Sequence, residues 1–414
     1  MFLYDIAVVG IGRVGLPLAL SLSNAGFKVL GIDRDEKLLE SVRNRVMPFN
    51  EPGYDVILKK TDLTVTDTLS SVKDAKNIII TVGTPLMSHI ETDLSQIRDV
   101  FHGIKDGLRE THNIILRSTV APKTTEYVRR FIEQKTPFKT GETIFLSFCP
   151  ERIAEGKAIK ELCELPQIIG CGDDKSFERA SEIFSRLTRD ILRTDFVSAE
   201  LVKLFNNISR YIHFSVANQF AIIADSYKAN IYDIIEMTNY KYPRGVIPLP
   251  GFTAGTCLRK DFGMVNESVP YTDLLISAWK INEFMPKFLV DNLVARTEIY
   301  NKRVAVLGYS FKKDTDDTRD SLVPKLLRYI GREMPLSLKL SDPLVTESIE
   351  EGYANLPIET AVSDADIIYF ATNHTVFEDN FKEILSKCKN DCYIVDLWNI
   401  SGCGKMFFKL SEVL

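Results

Sequence analysis

Between Asp5 and Asp33 the chain carries a spacing that few folds accommodate. The apolar run DIAVVG (Asp5 to Gly10) reads as a short buried strand. It ends in GIGRVG, with glycines at Gly10, Gly12 and Gly15, and passes into a helix-like run to Asn24. A second apolar segment, Phe27 to Ile32, stops at Asp33, eighteen residues beyond Gly15. Strand, glycines, helix, strand and acid in that order are the parts of a dinucleotide-binding βαβ unit. The glycines make the turn, let the pyrophosphate approach the backbone and bring the helix against the strand, and the acid meets the ribose hydroxyls. Arg13 and Val14 lie inside that turn and join the cofactor-binding candidates. Asp33 would repel a 2′-phosphate and favours NAD, while Arg34 beside it leaves NADP open.

The same half continues with strands at Asn77 to Gly83, ending in TVGTP, at Asn113 to Thr119, ending in RSTV, and at Thr143 to Cys149, ending in FCPER. In a doubly wound parallel sheet, ligands meet the loops at the carboxyl ends of strands, so these endings should line one crevice. Thr84, Thr119, Glu151 and Glu155 are therefore candidates for cofactor or substrate contact; the plainer reading makes the threonines helix caps and the glutamates a solvated helix start. From Ser198 to Tyr227 a helical period runs without Gly or Pro, and Lys203 and Asn207 stand four apart on one face of it. Beyond a second helical region, about 273–300, come strands at Arg303 to Gly308, Leu336 to Asp342, Asp366 to Ala371 and Cys392 to Trp398. This repeats the first half in weaker form. The fold class expected is α/β: two doubly wound Rossmann-like domains joined by a long central helix and a helical region.

The chemistry is placed at PGFTAGTCLRKDF, Pro250 to Phe262. Cys257 follows Gly251 and Gly255 and precedes Arg259, Lys260 and Asp261. Glycines give a thiol close approach to a ligand, and neighbouring cations favour the nucleophilic thiolate. An ordinary turn with a small buried side chain is the competing reading. A net charge of −5 and a pI near 5.7 argue against a nucleic-acid backbone or an anionic membrane as partner. Seven cysteines without paired C-x-x-C spacing suggest neither a disulfide framework nor a metal site and fit a reducing cytoplasm.

Taken together, GIGRVGLPLA, TVGTP, STVAPKTT, CPERIAEGKA, AELVKLFNN, PGFTAGTCLRKD, FKKDTDDTR and SDP resemble the UDP-glucose/GDP-mannose dehydrogenase family, the nucleotide-sugar 6-dehydrogenases. The resemblance implies three domains: 1–197 binding NAD, 198–300 helical, dimerising and carrying the cysteine loop, and 301–414 binding UDP. It also implies a homodimer or higher homo-oligomer acting on a UDP-sugar with two NAD+. Cys257 matches the nucleophile that carries C6 as thiohemiacetal and thioester, and Lys203 and Asn207 match the pair that steadies charge on the C6 oxygen. Asp261 and Thr119 match residues that order or activate water, and Glu151 and Glu155 match the acidic loop by the sugar. Lys260 and Arg319 join Thr84 at the cofactor, while Gly255, Phe311 and Lys312 fall at the substrate. Arg152, in CPER, and Arg210 also fall at the substrate, and Arg244, in YPRG, resembles an arginine that reaches across the dimer to it; these three resemble the subgroup acting on UDP-N-acetylmannosamine or UDP-N-acetylglucosamine, and UDP-glucose is the alternative. A non-catalytic NAD-binding regulatory or assembly protein would keep the glycines and Asp33 but not the Lys203 and Cys257 pairing.

Overall fold

A computed structural model describes residues 2–85, 93–266, 272–346, 349 and 352–412. By contact the chain forms two compact units, Met1–Asn207 with Lys260–Pro270, and Ile208–Arg259 with Tyr271–Leu414.

The first unit is built on eight strands: β1 (Tyr4–Val9), β2 (Val29–Ile32), β3 (Thr64–Thr66), β4 (Ala75–Ile80), β5 (Asn113–Leu116), β6 (Phe145–Phe148), β7 (Gln167–Cys171) and β8 (Ile191–Thr194). Their order is β3-β2-β1-β4-β5-β6-β7-β8, parallel throughout except where β7 runs antiparallel to β6. Strands buried on both faces need apolar residues at every position, and alternate ones go to opposite sides. Ile6 and Val8 of β1 accordingly enter one core, with Ile79, Ile115 and the helix residues Leu16 and Leu20, while Ala7 and Val9 enter the other, with Ile78, Ile80 and Ile114. The strand order reverses between β1 and β4. At that point the loops diverge and a crevice opens at the carboxyl ends.

The second unit has a five-stranded sheet: β9 (Arg303–Leu307), β10 (Ser337–Ser341), β11 (Ile367–Phe370), β12 (Tyr393–Asp396) and β13 (Phe407–Lys409), in the order β10-β9-β11-β12-β13, with only β13 antiparallel. Val304, Val306, Ile367, Tyr369 and Val395 face one way and share a core with Ala221, Ile231, Met285, Phe288 and Leu289 from three helices of the same unit. Ala305, Leu307, Ile368, Phe370 and Ile394 face the other way. The helix Phe196–Ser226 runs for 31 residues, and its residues through Asn207 belong to the first unit. Among the described residues, no helix is long and apolar enough to cross a membrane.

Candidate active site

In the first unit the glycine turn has the geometry that its spacing implies. A Cβ on Gly15 would lie 2.0 Å from the Gly10 carbonyl oxygen and 2.6 Å from Thr81 Oγ1, so only glycine lets the helix start this close to β1. Gly10 takes a φ of 89°, which glycine adopts readily. A Cβ on Gly12 would meet nothing within 4 Å, leaving that backbone open to a ligand. The helix that follows, Gly15–Asn24, has no side-chain cap and no acid in its first turn. Its first N–H groups and positive end are thus left for an anion. Beside this turn lies a cavity of about 490 Å3, lined by Gly10, Gly12, Asp33, Arg34, Thr81 and Gly83 and walled by Leu38, Leu69 and Val100. An acid at the ribose position, an apolar slot and an uncapped helix fit NAD. Gln96 and Asp99 also line the cavity and were not among the sequence candidates; an ordinary amphipathic helix gives no hint of what its ends face.

A buried polar cluster forms the second region of the site. Lys203 and Asn207 are 8% and 7% exposed, and Asp261 is fully buried. Asn207 Nδ2 donates to Asp261 Oδ2 at 2.5 Å, and Asp261 Oδ1 has no hydrogen-bond partner among the described residues. Burial pushes the Asp261 carboxyl above its ordinary value, opposed by the charges of Lys203 and Lys260 and by the Asn207 hydrogen bond. Lys260 Nζ donates to Thr84 Oγ1 at 3.0 Å, and Thr84 Oγ1 donates to the carbonyl of Thr119 at 2.5 Å. Thr84 therefore joins the strand endings to one another. Glu200, one turn before Lys203, carries no sequence signal of its role. Its buried carboxylate accepts from Lys123 N (2.7 Å), Thr125 N (2.8 Å) and Thr125 Oγ1 (2.6 Å), tying the long helix to the loop after Thr119. The helix Thr124–Lys135 has no cap of its own, so Glu200 supplies one.

The acidic loop is held from three sides. Glu151 forms a buried ion pair with Arg117 and accepts from Arg152 N (2.7 Å) and Ile153 N (3.0 Å). Arg117 also reaches the Cys149 carbonyl (3.0 Å) and Gln167 (2.8 Å). The Arg152 guanidinium donates to the Pro166 carbonyl. Arg13 pairs with Glu155 at 2.6 Å, joining the glycine turn to this loop. Glu51 accepts from Gly156 N (2.8 Å) and Ala158 N (2.9 Å). Arg117 and Glu51 were not expected, because their partners lie 34 and 105 residues away in the chain.

In the second unit, the two glycines of the cysteine stretch are places of close approach. A Cβ on Gly251 would fall 2.2 Å from the Trp398 ring, and one on Gly255, whose φ is 91°, would fall 2.6 Å from the Phe311 ring. Asn218 holds Gly251 at both N and O, at 2.9 and 3.0 Å. Cys257 is the second residue of the helix Thr256–Asn266; its side chain lies outside the described residues. Arg210 and Arg244 are exposed, the latter over the Tyr242 ring at 4.7 Å. Lys312 is half-buried, and Arg319 pairs in bidentate fashion with Asp317, Nε donating to Oδ1 at 2.9 Å and Nη2 to Oδ2 at 2.6 Å.

A glycine turn, an acid and an open cavity at the switch point of a parallel sheet define a dinucleotide-binding dehydrogenase unit. Sequence profiles of the UDP-glucose/GDP-mannose dehydrogenase family match the NAD binding domain over residues 4–188, the central domain over 197–283 and the UDP binding domain over 305–402. The UDP-N-acetyl-D-mannosamine dehydrogenase of Pyrococcus horikoshii is 32% identical over 407 residues, which cover 95% of each chain. The solved structure of UDP-D-ManNAc dehydrogenase from that organism superposes with a TM-score of 0.84 at 31% identity, over 93% of each chain. A UDP-N-acetyl-mannosamine dehydrogenase from Staphylococcus aureus gives 0.81 at 29% identity, over 94% of this chain and 93% of that one. The chain belongs to the UDP-glucose/GDP-mannose dehydrogenase family, and it is an NAD-dependent oxidoreductase acting on a nucleotide sugar.

Proposed function

We propose that this protein oxidises C6 of a UDP-N-acetylhexosamine, UDP-N-acetylmannosamine or UDP-N-acetylglucosamine, to the uronic acid. The observation that carries the reading is near-full-length similarity to relatives named UDP-N-acetyl-D-mannosamine dehydrogenase. NAD+, when bound, supplies the hydride acceptor for both oxidations. Cys257 holds C6 between the two oxidation levels as thiohemiacetal and then thioester, a role suited to a thiol because it is strongly nucleophilic and its thioester is open to water. Lys203 and Asn207 donate to the C6 oxygen as charge develops there, as fixed donors do well in a dry site. Asp261, with one buried oxygen lacking a partner among the described residues and a raised pKa, takes the proton of the hydrolytic water, assisted by Thr119. Glu151, Arg152 and Glu155 shape the loop at the sugar, with Arg210, Gly255, Phe311 and Lys312 at the substrate.

The functional division follows three domains, 1–197, 198–300 and 301–414, although the compact units cut the chain elsewhere. The protein acts as a homodimer or higher homo-oligomer in the cytoplasm; six described cysteines are free thiols, as a reducing compartment requires. Following NADH release with a panel of UDP-sugars tests the substrate. Turnover of UDP-glucose in preference to both N-acetylated sugars would overturn the assignment. Cys257→Ser should end uronate formation while leaving NADH binding intact, and normal turnover by that variant would remove the thioester route.

A further inference from the structure

We propose that His374, as the neutral tautomer protonated on Nε2, is a positioning residue that sets the sugar-nucleotide loop 310–320 and, through it, the turn preceding Cys257. The first half rests on the substrate role given to Phe311 and Lys312 above, and the second on the role given to Cys257. His374 is fully buried just beyond β11. Its Nδ1 accepts the backbone N–H of Asp314 at 2.9 Å. A backbone N–H can only donate, so Nδ1 carries no proton and the ring proton sits on Nε2. There it meets Asp342 Oδ2 and Ser310 Oγ, each at 3.1 Å. The Ser310 hydroxyl spends its own proton on the Lys312 carbonyl at 3.0 Å, which leaves it an acceptor for the ring. Asp342 Oδ2 also takes the N–H groups of Tyr309 (2.7 Å) and Ser310 (3.0 Å), at the root of the loop.

The two ring nitrogens thus clamp the loop at Ser310 and Asp314, so that the peptide carrying Phe311 and Lys312 is held at both ends. The next residue along, Thr375, closes the outside: its N–H and hydroxyl donate to the Asp314 carboxylate at 2.8 and 2.6 Å. Inside the loop, Phe311 N donates to Asp317 O at 3.0 Å. From here the constraint passes to the cysteine stretch. The Phe311 ring occupies the space a Cβ on Gly255 would need, and Gly255 N donates to Asp320 O at 3.2 Å. Cys257 is two residues further on. A buried histidine whose two ring nitrogens bond the loop at Ser310 and Asp314, and Asp342 beneath its root, is more than filling, since a core position needs no such match of donor to acceptor.

The test uses the full-length protein and two variants, His374→Leu, which keeps bulk and removes every hydrogen bond, and His374→Asn, whose amide oxygen can still accept from Asp314. Read-outs are the dissociation constants for UDP and NADH, the split of kcat from KM for the UDP-sugar, and the rate of Cys257 alkylation by iodoacetamide, resolved from the other thiols by peptide mass. His374→Leu should weaken UDP by about ten-fold and change the alkylation rate, with NADH binding held within about two-fold, and His374→Asn should recover part of the loss. Should His374→Leu fail to fold, Thr375→Val loosens the loop from its exposed side and should weaken UDP by about three-fold. Unchanged UDP affinity in the folded variants overturns the proposal, as does parallel loss of UDP and NADH binding. Normal turnover by Cys257→Ser would instead fail the Cys257 reading alone, because the UDP measurement does not depend on it.

Discussion

Asp261 is the residue whose surroundings demand most explanation. It is fully buried, one oxygen bonds Asn207, and the other has no partner among the described residues. Leaving a buried carboxylate oxygen unsatisfied costs about 1–3 kcal/mol, a cost that folding alone gives no reason to keep. Burial raises its pKa against the pull of Lys203 and Lys260. The signs follow. A raised value means the folded chain holds this proton more tightly than the unfolded one, so the group's contribution to stability is lost as pH rises through that value. A base, in contrast, works only once ionised, so activity gains over the same interval. The acid limb of kcat should therefore lie above the usual carboxylate range near about 4, and Asp261→Asn should lower kcat by about 10²–10⁴ and remove the limb. A pH–rate profile of the two proteins decides it; a limb that persists in the variant assigns the base elsewhere. Lys203, Asn207 and Asp261 were singled out in the sequence because the resemblance gives each a role. Glu200, Arg117 and Glu51 were not. Their work is to hold backbone and charge 75, 34 and 105 residues away, and no local pattern records such a distance.

At the scale of elements, β1, β2, β4, β5 and β6 were legible as apolar runs, since a strand buried on both faces has few other spellings, whereas β7 and β8 were not read from the sequence. The edge strands β3 and β13, three residues each, were not, for they are too short to show alternation and exist because β2 and β12 offer them a ladder. Two elements give predictions. His112, immediately before β5, is fully buried, accepts from Arg109 N at 3.0 Å and leaves Nε2 without a partner among the described residues. Burial, with the nearby charge of Arg109, lowers its pKa from 6.5 to about 4. The unfolded chain then binds more protons between those values, so stability should fall by roughly 2–3 kcal/mol as pH drops through that window. His112→Asn keeps an acceptor for Arg109 N and should flatten the dependence, as denaturant titrations at about pH 7 and about pH 4.5 would show; equal slopes in the two proteins would contradict it. The turn before the cysteine helix is the second case. Gly255 combines a φ of 91° with the Phe311 ring at 2.6 Å from any Cβ, so Gly255→Ala should cost about 1–3 kcal/mol and reduce turnover, measured by thermal unfolding and NADH release.

For the whole molecule the open question is what covers its apolar surface. Along the stretch of the long helix that belongs to the second unit, Val216, Phe220 and Ile223 recur at spacings of four and three and are 37–45% exposed, and Tyr227, in the turn just past the helix end at Ser226, is 80% exposed. Met237 and Tyr240, at the end of the helix Ile231–Asn239, add 68% and 70%. An exposed apolar stripe at helical spacing calls for a partner, and a second copy offers the same stripe by two-fold symmetry. We propose that a second copy covers this stripe, in which case Phe220→Glu combined with Tyr227→Lys should leave a monomer of 46.9 kDa in sedimentation where the wild type runs as a dimer. The exposed Arg244, stacked on Tyr242, is proposed to complete the partner's substrate site. Complementation follows from that arrangement. On that proposal, Cys257→Ser and Arg244→Ala chains should each be inactive alone. Mixed and allowed to exchange, half the dimers are hybrids, and in each hybrid one site joins an intact cysteine to an intact arginine. Activity should therefore return to about one quarter of the wild-type value in an isologous dimer. Recovery to that level places Arg244 in the neighbouring site, whereas a mixture as inactive as its components keeps both residues on one chain.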